Sequence, residues 1–164
     1  MEERKINNFL LNIFNVINEE KEKTYVSEIT ILTIKSLMPS REEIGTRIDY
    51  ERFKKEIELW YLYRSGENFS LLNSIDLSSK DVYLNSIDDS LYIRIAPIVF
   101  SNKNWDIIKK EVLKNILYTT GNIEAILEGL LISKILFLSA NNDENIISKL
   151  KDEIISFSQI DFLD

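Results

Sequence analysis

The residues that could carry chemistry start at Asp88, where two acids and a hydroxyl precede an apolar run containing one arginine: Asp88-Asp89-Ser90-Leu91-Tyr92-Ile93-Arg94-Ile95-Ala96-Pro97-Ile98. Arg94 could clamp a phosphate or a carboxylate through its paired N–H donors. It could equally form an ion pair with Asp88 or Asp89 and fix the loop. The two aspartates could in turn hold a metal ion, or they could cap a helix start and complement its dipole.

Histidine and cysteine are both absent from the chain. Their absence removes the commonest general base and the thiolate nucleophile, so Cys–His and Ser–His–Asp catalysis are excluded. Only carboxylates, lysine, tyrosine, serine and threonine remain for chemistry. The sequence is also rich in Ile, Asn, Lys and Glu, a bias that an AT-rich genome produces without selection for function.

Four short blocks over about residues 25–140 resemble, in their order, the ADP-ribosylglycohydrolase family. In the family's ligand loop, a Gly-Asn-Gly-Ser stretch is followed by an arginine and a proline. Ser90, Arg94 and Pro97 follow that order here, with Ala96 as the family often has it. The other three blocks are Ser27-Glu28-Ile29-Thr30, Asp49-Tyr50-Glu51-Arg52-Phe53 with Trp60-Tyr61, and Thr119-Thr120-Gly121-Asn122.

The departures from the family pattern argue against its activity. The family hydrolyses glycosidic bonds to ADP-ribose with two magnesium ions held by carboxylates, and magnesium demands oxygen ligands in tight octahedral geometry. Glu28 and Ile29 stand where the family has an Asp-Asp pair, and no counterpart of its later Asp-x-Asp-Thr motif is expected. Asp89 replaces a loop glycine, and its charge would repel a diphosphate. The resemblance thus implies the fold without catalysis or cofactor, with magnesium expected only if residual hydrolysis survives.

The weak ligand-binding candidates that the resemblance leaves are Glu28, Asp88, Asp89, Ser90 and Arg94. Each also has a structural interpretation. Thr30, Thr119 and Thr120 are expected to bond backbone groups at helix ends, and the aromatic group Trp60, Tyr61 and Tyr63 is expected to form core and rim packing.

Composition bounds the class of protein. The 164 residues, of which 45% are hydrophobic, are enough for a single domain spanning 1–164 with a buried core. A net charge of −7 argues against general nucleic-acid binding, which needs a basic surface. We expect neither a signal peptide nor a membrane span, because no apolar run approaches about 18 residues. A cytoplasmic location is the expectation.

Apolar residues recur at three- and four-residue spacing, which predicts helices. A first helix is predicted through Ile6–Ile17, and a second from Val26 to near Met38, because Pro39 disfavours helix at the preceding residue. Ser40-Arg41-Glu42-Glu43 has the form of a capping box. Asp49 is predicted to cap a third helix that ends at Ser65-Gly66.

Later helix starts are predicted at the Ser78–Asp81 stretch, Asn104 and Asn122, with a last helix from Glu144. Leu91–Phe100 is predicted as a buried helix rather than a strand, and Pro97 costs that helix little if it lies near the first turn. The helix from Ile123 to Ser139 is apolar on nearly all sides, which predicts that it is the central one. The fold class is all-α: a compact orthogonal bundle of seven to nine helices, resembling part of the ADP-ribosylglycohydrolase fold.

Three functions are compatible with the sequence. The first is a non-catalytic relative of the family that acts as a protein-interaction or regulatory module. The second is an ADP-ribose or nucleotide binder with residual hydrolase activity. The third is an unrelated small all-α regulatory or immunity-type protein. If the chain matches only part of a larger helical fold, apolar surface needs cover, which predicts a homodimer or a stable protein complex.

Overall fold

The computed structural model describes residues 25–40, 45–76, 79–88 and 90–158. Within them the chain forms eight helices and one two-stranded ribbon. In order these are α1 (Tyr25–Lys35), β1 (Leu37–Pro39), β2 (Thr46–Ile48), α2 (Tyr50–Tyr63), α3 (Phe69–Asp76), α4 (Lys80–Asn85), α5 (Leu91–Phe100), α6 (Trp105–Leu117), α7 (Ile123–Ala140) and α8 (Ile146–Ser158). The mostly helical fold class predicted from the sequence is confirmed. The helix predicted through Ile6–Ile17 and residues 41–44 of the capping box lie outside the described residues.

Four of the predicted helix starts carry side-chain caps. Asp49 Oδ1 accepts a hydrogen bond from the backbone N–H of Arg52 at 3.2 Å, and Ser79 Oγ accepts from that of Val82 at 3.2 Å. Asn104 and Asn122 cap α6 and α7 in the same way. These short polar side chains satisfy N–H groups that have no partner inside a helix, which explains why the sequence identifies them.

Helix α1, which corresponds to the helix predicted from Val26 to near Met38, is shorter than predicted and ends at Lys35. Met38 lies instead in β1, which pairs antiparallel with β2 in the register Leu37↔Ile48, Met38↔Arg47, Pro39↔Thr46. A tertiary contact favours the ribbon: Asn102, after α5, accepts from the Thr46 backbone N–H at 2.8 Å and donates to Thr46 Oγ1 at 3.0 Å. Pro39, at the end of a two-stranded ribbon, interrupts no larger sheet.

The central helix is α5, not α7. Seven of its ten residues are buried: Leu91, Arg94, Ile95, Ala96, Pro97, Ile98 and Val99. In α7, by contrast, Ile123, Leu127 and Ile135 are exposed, because the contacts of this helix with α5, α6 and α8 leave these residues facing solvent. The prediction that α7 is the central helix, which was based on its apolar residues on all sides, is therefore wrong. Pro97 lies in the second half of α5 rather than in its first turn.

Close approach of α7 to its neighbours depends on a glycine. A Cβ at Gly129 would lie 2.7 Å from Ile116 Cδ1 and 3.1 Å from Leu91 Cδ2. Ile116 and Leu91 are both fully buried core residues of α6 and α5. The packing of α5, α6 and α7 at this point thus has no room for a side chain.

Candidate functional site

Arg94 is the only arginine among the fully buried side chains of the described residues, with an exposed fraction of 0%. Its Nη2 lies 2.5 Å from Asp88 Oδ2, and Asp88 is 1% exposed. Arg94 is carried by α5, and Asp88 lies just before that helix. The expected ion pair with a local acid is therefore confirmed for Asp88. Asp89, its alternative partner, lies outside the described residues.

Both oxygens of the Asp88 carboxylate are occupied by donors from the protein. Oδ1 accepts from the Ser90 backbone N–H at 3.0 Å, from Ser90 Oγ at 2.6 Å and from Asn68 Nδ2 at 3.1 Å. Oδ2 accepts from Arg94 and, at 2.8 Å, from Thr119 Oγ1. The bond from the Ser90 N–H supports the start of α5, as expected of an acid at that position. We call Asn68, Asp88, Ser90, Arg94 and Thr119 the Asp88–Arg94 network.

The network keeps Asp88 ionised. Burial alone would raise the pKa of Asp88, but the charge of Arg94 and the hydrogen bonds from Ser90, Thr119 and Asn68 outweigh burial and hold that pKa below its usual range. A buried carboxylate that is both paired and fully hydrogen-bonded is neither a free proton acceptor nor an open metal ligand. Its chemistry in this arrangement is structural.

The network ties four parts of the fold together. Asn68 also caps α3, because its Oδ1 accepts from the Leu71 N–H at 2.8 Å. Thr119, at the end of α6, accepts from Arg94 Nη2 at 2.7 Å and donates to Asp88. The next residue, Thr120, bonds the carbonyl of Ser86 at 3.0 Å, which confirms the backbone-bonding role predicted for it. The loop before α5 is thereby fixed to α3, α5 and α6.

Two polar residues beside the network, Tyr50 and Asn115, were not identified from the sequence as site residues. Arg94 Nη1 donates to the Asn115 carbonyl at 3.4 Å. Arg94 Nε, the Asn115 side-chain amide and the Tyr50 hydroxyl are buried and have no hydrogen-bond partner among the residues that the structure describes. Burial and the nearby charge of Glu111 raise the pKa of Tyr50. The sequence could have indicated Asn115, because it is a polar residue on the apolar face of α6 together with Val112 and Ile116.

Glu28 belongs to a different hydrogen-bond group. Its Oε2 accepts from Trp60 Nε1 at 2.9 Å and from the Ser65 backbone N–H at 3.1 Å, while Oε1 accepts from Ser65 Oγ at 2.9 Å. Glu28 thus fastens the end of α2 to α1. Trp60 is fully buried, which confirms the core packing expected of it, whereas Tyr61 and Tyr63 are exposed. The structure brings Asp88, Ser90 and Arg94 together and gives Glu28 other partners.

No cluster of three or more acidic side chains that could hold a metal ion occurs in the described part of the chain. Among the described helices, none has the length and apolar character needed to cross a membrane. Comparison with models of protein families, with curated proteins and with solved structures finds no match to this chain.

Proposed function

We propose that the chain is a non-catalytic domain of the ADP-ribosylglycohydrolase type that acts in the cytoplasm through contacts with protein, first of all with a second copy of itself. The observation that carries the proposal is the Asp88–Arg94 ion pair. The arginine that would face a ligand phosphate is fully buried, and its charge is neutralised by the acid of the same loop. A ligand would have to break a buried pair to reach Arg94, at a cost of several kcal/mol.

Exposed apolar side chains at the end of α2 support the contact with a second copy. Leu59, Leu62 and Tyr63 are spaced to lie on one face of α2, and Phe69 follows at the start of α3. The exposed fractions of Leu62 and Phe69 are 78% and 72%. We call these four residues the α2 apolar patch. Exposed apolar side chains that share one helix face, as Leu59, Leu62 and Tyr63 do, are typical of protein interfaces.

The absence of ligand binding is tested by a thermal-shift titration of the whole chain with ADP-ribose, with and without magnesium. Ligand at about 100 times its dissociation constant would stabilise the protein by about 2.7 kcal/mol, which moves the midpoint of a domain of this size by several degrees. We expect no shift at millimolar ADP-ribose. A magnesium-dependent shift would instead support the second function, ADP-ribose binding with residual hydrolysis.

The contact with a second copy is tested by light scattering coupled to size exclusion at micromolar concentration. We expect a particle of twice the chain mass, and a monomer for Leu62→Glu, which places a charge in the α2 apolar patch. Ile147→Glu on α8 is the matched control, because Ile147 is 72% exposed and lies outside the patch. A monomeric parent chain would refute the dimer, and dissociation by Ile147→Glu alone would refute the choice of surface.

A further inference from the structure

The most buried side chain of α8 over residues 146–156 is a charged one. Over residues 146–156, for which side-chain burial is described, Glu153 is the buried one, with 9% of its surface exposed. The apolar residues Ile147, Ile154 and Ile155 are exposed, and Ile146 and Leu150 are only half-buried. Apolar burial therefore contributes less to the docking of α8 than its composition predicts.

The carboxylate of Glu153 joins α8 to two other helices. Glu153 Oε1 lies 3.1 Å from Lys109 Nζ on α6, and Oε2 lies 3.0 Å from Lys134 Nζ on α7. Oε2 also accepts from Trp105 Nε1, on α6, at 3.1 Å. The ammonium of Lys134 lies 4.1 Å from the centre of the Trp105 ring, a cation–π geometry. We call Glu153, Lys109, Lys134 and Trp105 the Glu153 cluster.

Glu153 and Lys134 are mostly shielded from solvent, and Lys109 is partly exposed. The side-chain exposed fractions are 11% for Glu153, 12% for Lys134 and 30% for Lys109. Attraction between such groups is weakened by salt and is lost when one partner is neutralised, because it depends on opposite charges. Behind the cluster, Trp105 packs on Phe137 with ring centres 5.8 Å apart, so this aromatic pair lies where α8 docks.

We propose that α8 is a detachable helix whose docking on α6 and α7 is controlled by the charges of the Glu153 cluster. Neutralising Glu153 or Lys134, or screening them with salt, releases α8 as a unit and exposes Trp105, while helices α1 to α7 stay folded. The device does not depend on the function proposed above. It supplies a means by which modification of a lysine or a change of ionic strength would alter the surface of the domain.

Hydrogen exchange of the whole chain, followed by mass spectrometry, tests the proposal. In Glu153→Gln we expect amides of residues 146–156 to exchange about tenfold faster or more, because the substitution removes the charge that Lys109 and Lys134 pair with. Exchange over residues 25–140 should stay unchanged. Asp152→Asn is the matched control, since it removes one negative charge from an exposed position of the same helix.

Salt provides a second test that needs no substitution. Raising ionic strength from roughly 0.05 to 1 M shortens the screening length several-fold and should accelerate exchange of α8 in the parent chain but not in Glu153→Gln. Tryptophan emission should shift to the red at the same time, because Trp105 is uncovered while Trp60 stays in the core. Unchanged exchange of α8 in high salt would overturn the proposal. So would acceleration spread equally over residues 25–140, because α8 would then not open as a separate unit.

Discussion

Substitution of Asp88 by asparagine should destabilise the protein far more than its size suggests. The change is isosteric and can preserve the hydrogen bonds that Oδ1 accepts from Ser90 and Asn68. It removes the charge opposite Arg94, however, and can place an amide N–H₂ where Oδ2 now accepts from Arg94. The result is a guanidinium that is fully buried and has lost its counter-ion.

The magnitude follows from that burial. Breaking a fully buried ion pair by removal of one partner costs about 3–5 kcal/mol, a large share of the 5–15 kcal/mol by which domains are typically stable. Arg94→Met should cost less, at the lower end of that range, because four donors besides Arg94 still bind the Asp88 carboxylate. The double variant should lose much less free energy of unfolding than the sum of the losses in the two single variants, because it leaves no charge buried without its partner.

Urea unfolding followed by circular dichroism, with all four proteins at pH 7, measures these free energies of unfolding. The slope of free energy against urea must stay constant across the set for the differences to be read as stability. A loss below about 1 kcal/mol for Asp88→Asn would contradict the assigned burial of the pair. Additivity of the two single substitutions would show that Asp88 and Arg94 do not interact.

Three further predictions concern packing, capping and acid. Gly129→Ala should lower the free energy of unfolding by about 1–3 kcal/mol, because the added Cβ would clash with buried Ile116. This loss should exceed the gain from the better helix propensity of alanine. A higher urea midpoint than that of the parent chain would refute the prediction. Asn122→Ala should cost about 1 kcal/mol, since its Oδ1 accepts from two N–H groups at the start of α7, and an unchanged midpoint would refute the cap. Partial burial raises the pKa of Glu153, but Lys134 and Lys109 lower it by more, so the pKa values of both Asp88 and Glu153 lie below their usual range. The stability that these two ionised carboxylates contribute is therefore complete above their unfolded pKa values of about 4. It is lost as the pH falls through their folded pKa values. Urea midpoints should therefore be steady from about pH 7 to 5 and fall steeply below about pH 4, less steeply in Asp88→Asn; a flat profile to pH 3 would contradict the depressed pKa values.

Local chemistry explains why the sequence alone located most helix starts. Asp49, Ser79, Asn104 and Asn122 cap their helices with their own side chains, so the signal and the structure lie within three residues of each other. The pairing of Arg94 with an acid just before α5 was also predictable from local sequence, because Asp88 lies only six positions before Arg94.

Tertiary contacts decided the rest. Residues 37–39 form a strand because residues 46–48 pair with them and Asn102 bonds that ribbon. The contact with Asn102 spans 56 residues, so the local sequence gives no sign of it. The central position of α5 depended on which elements pack around it, which the apolar pattern of α7 could not indicate. The Asp88–Arg94 network likewise needs Asn68 and Thr119, brought to the carboxylate from two other helix ends. Composition and spacing thus determine which residues are polar, apolar or capping. Burial, however, is a property of the assembled core. Because Arg94 is buried there with Asp88, it forms an internal ion pair instead of facing a ligand.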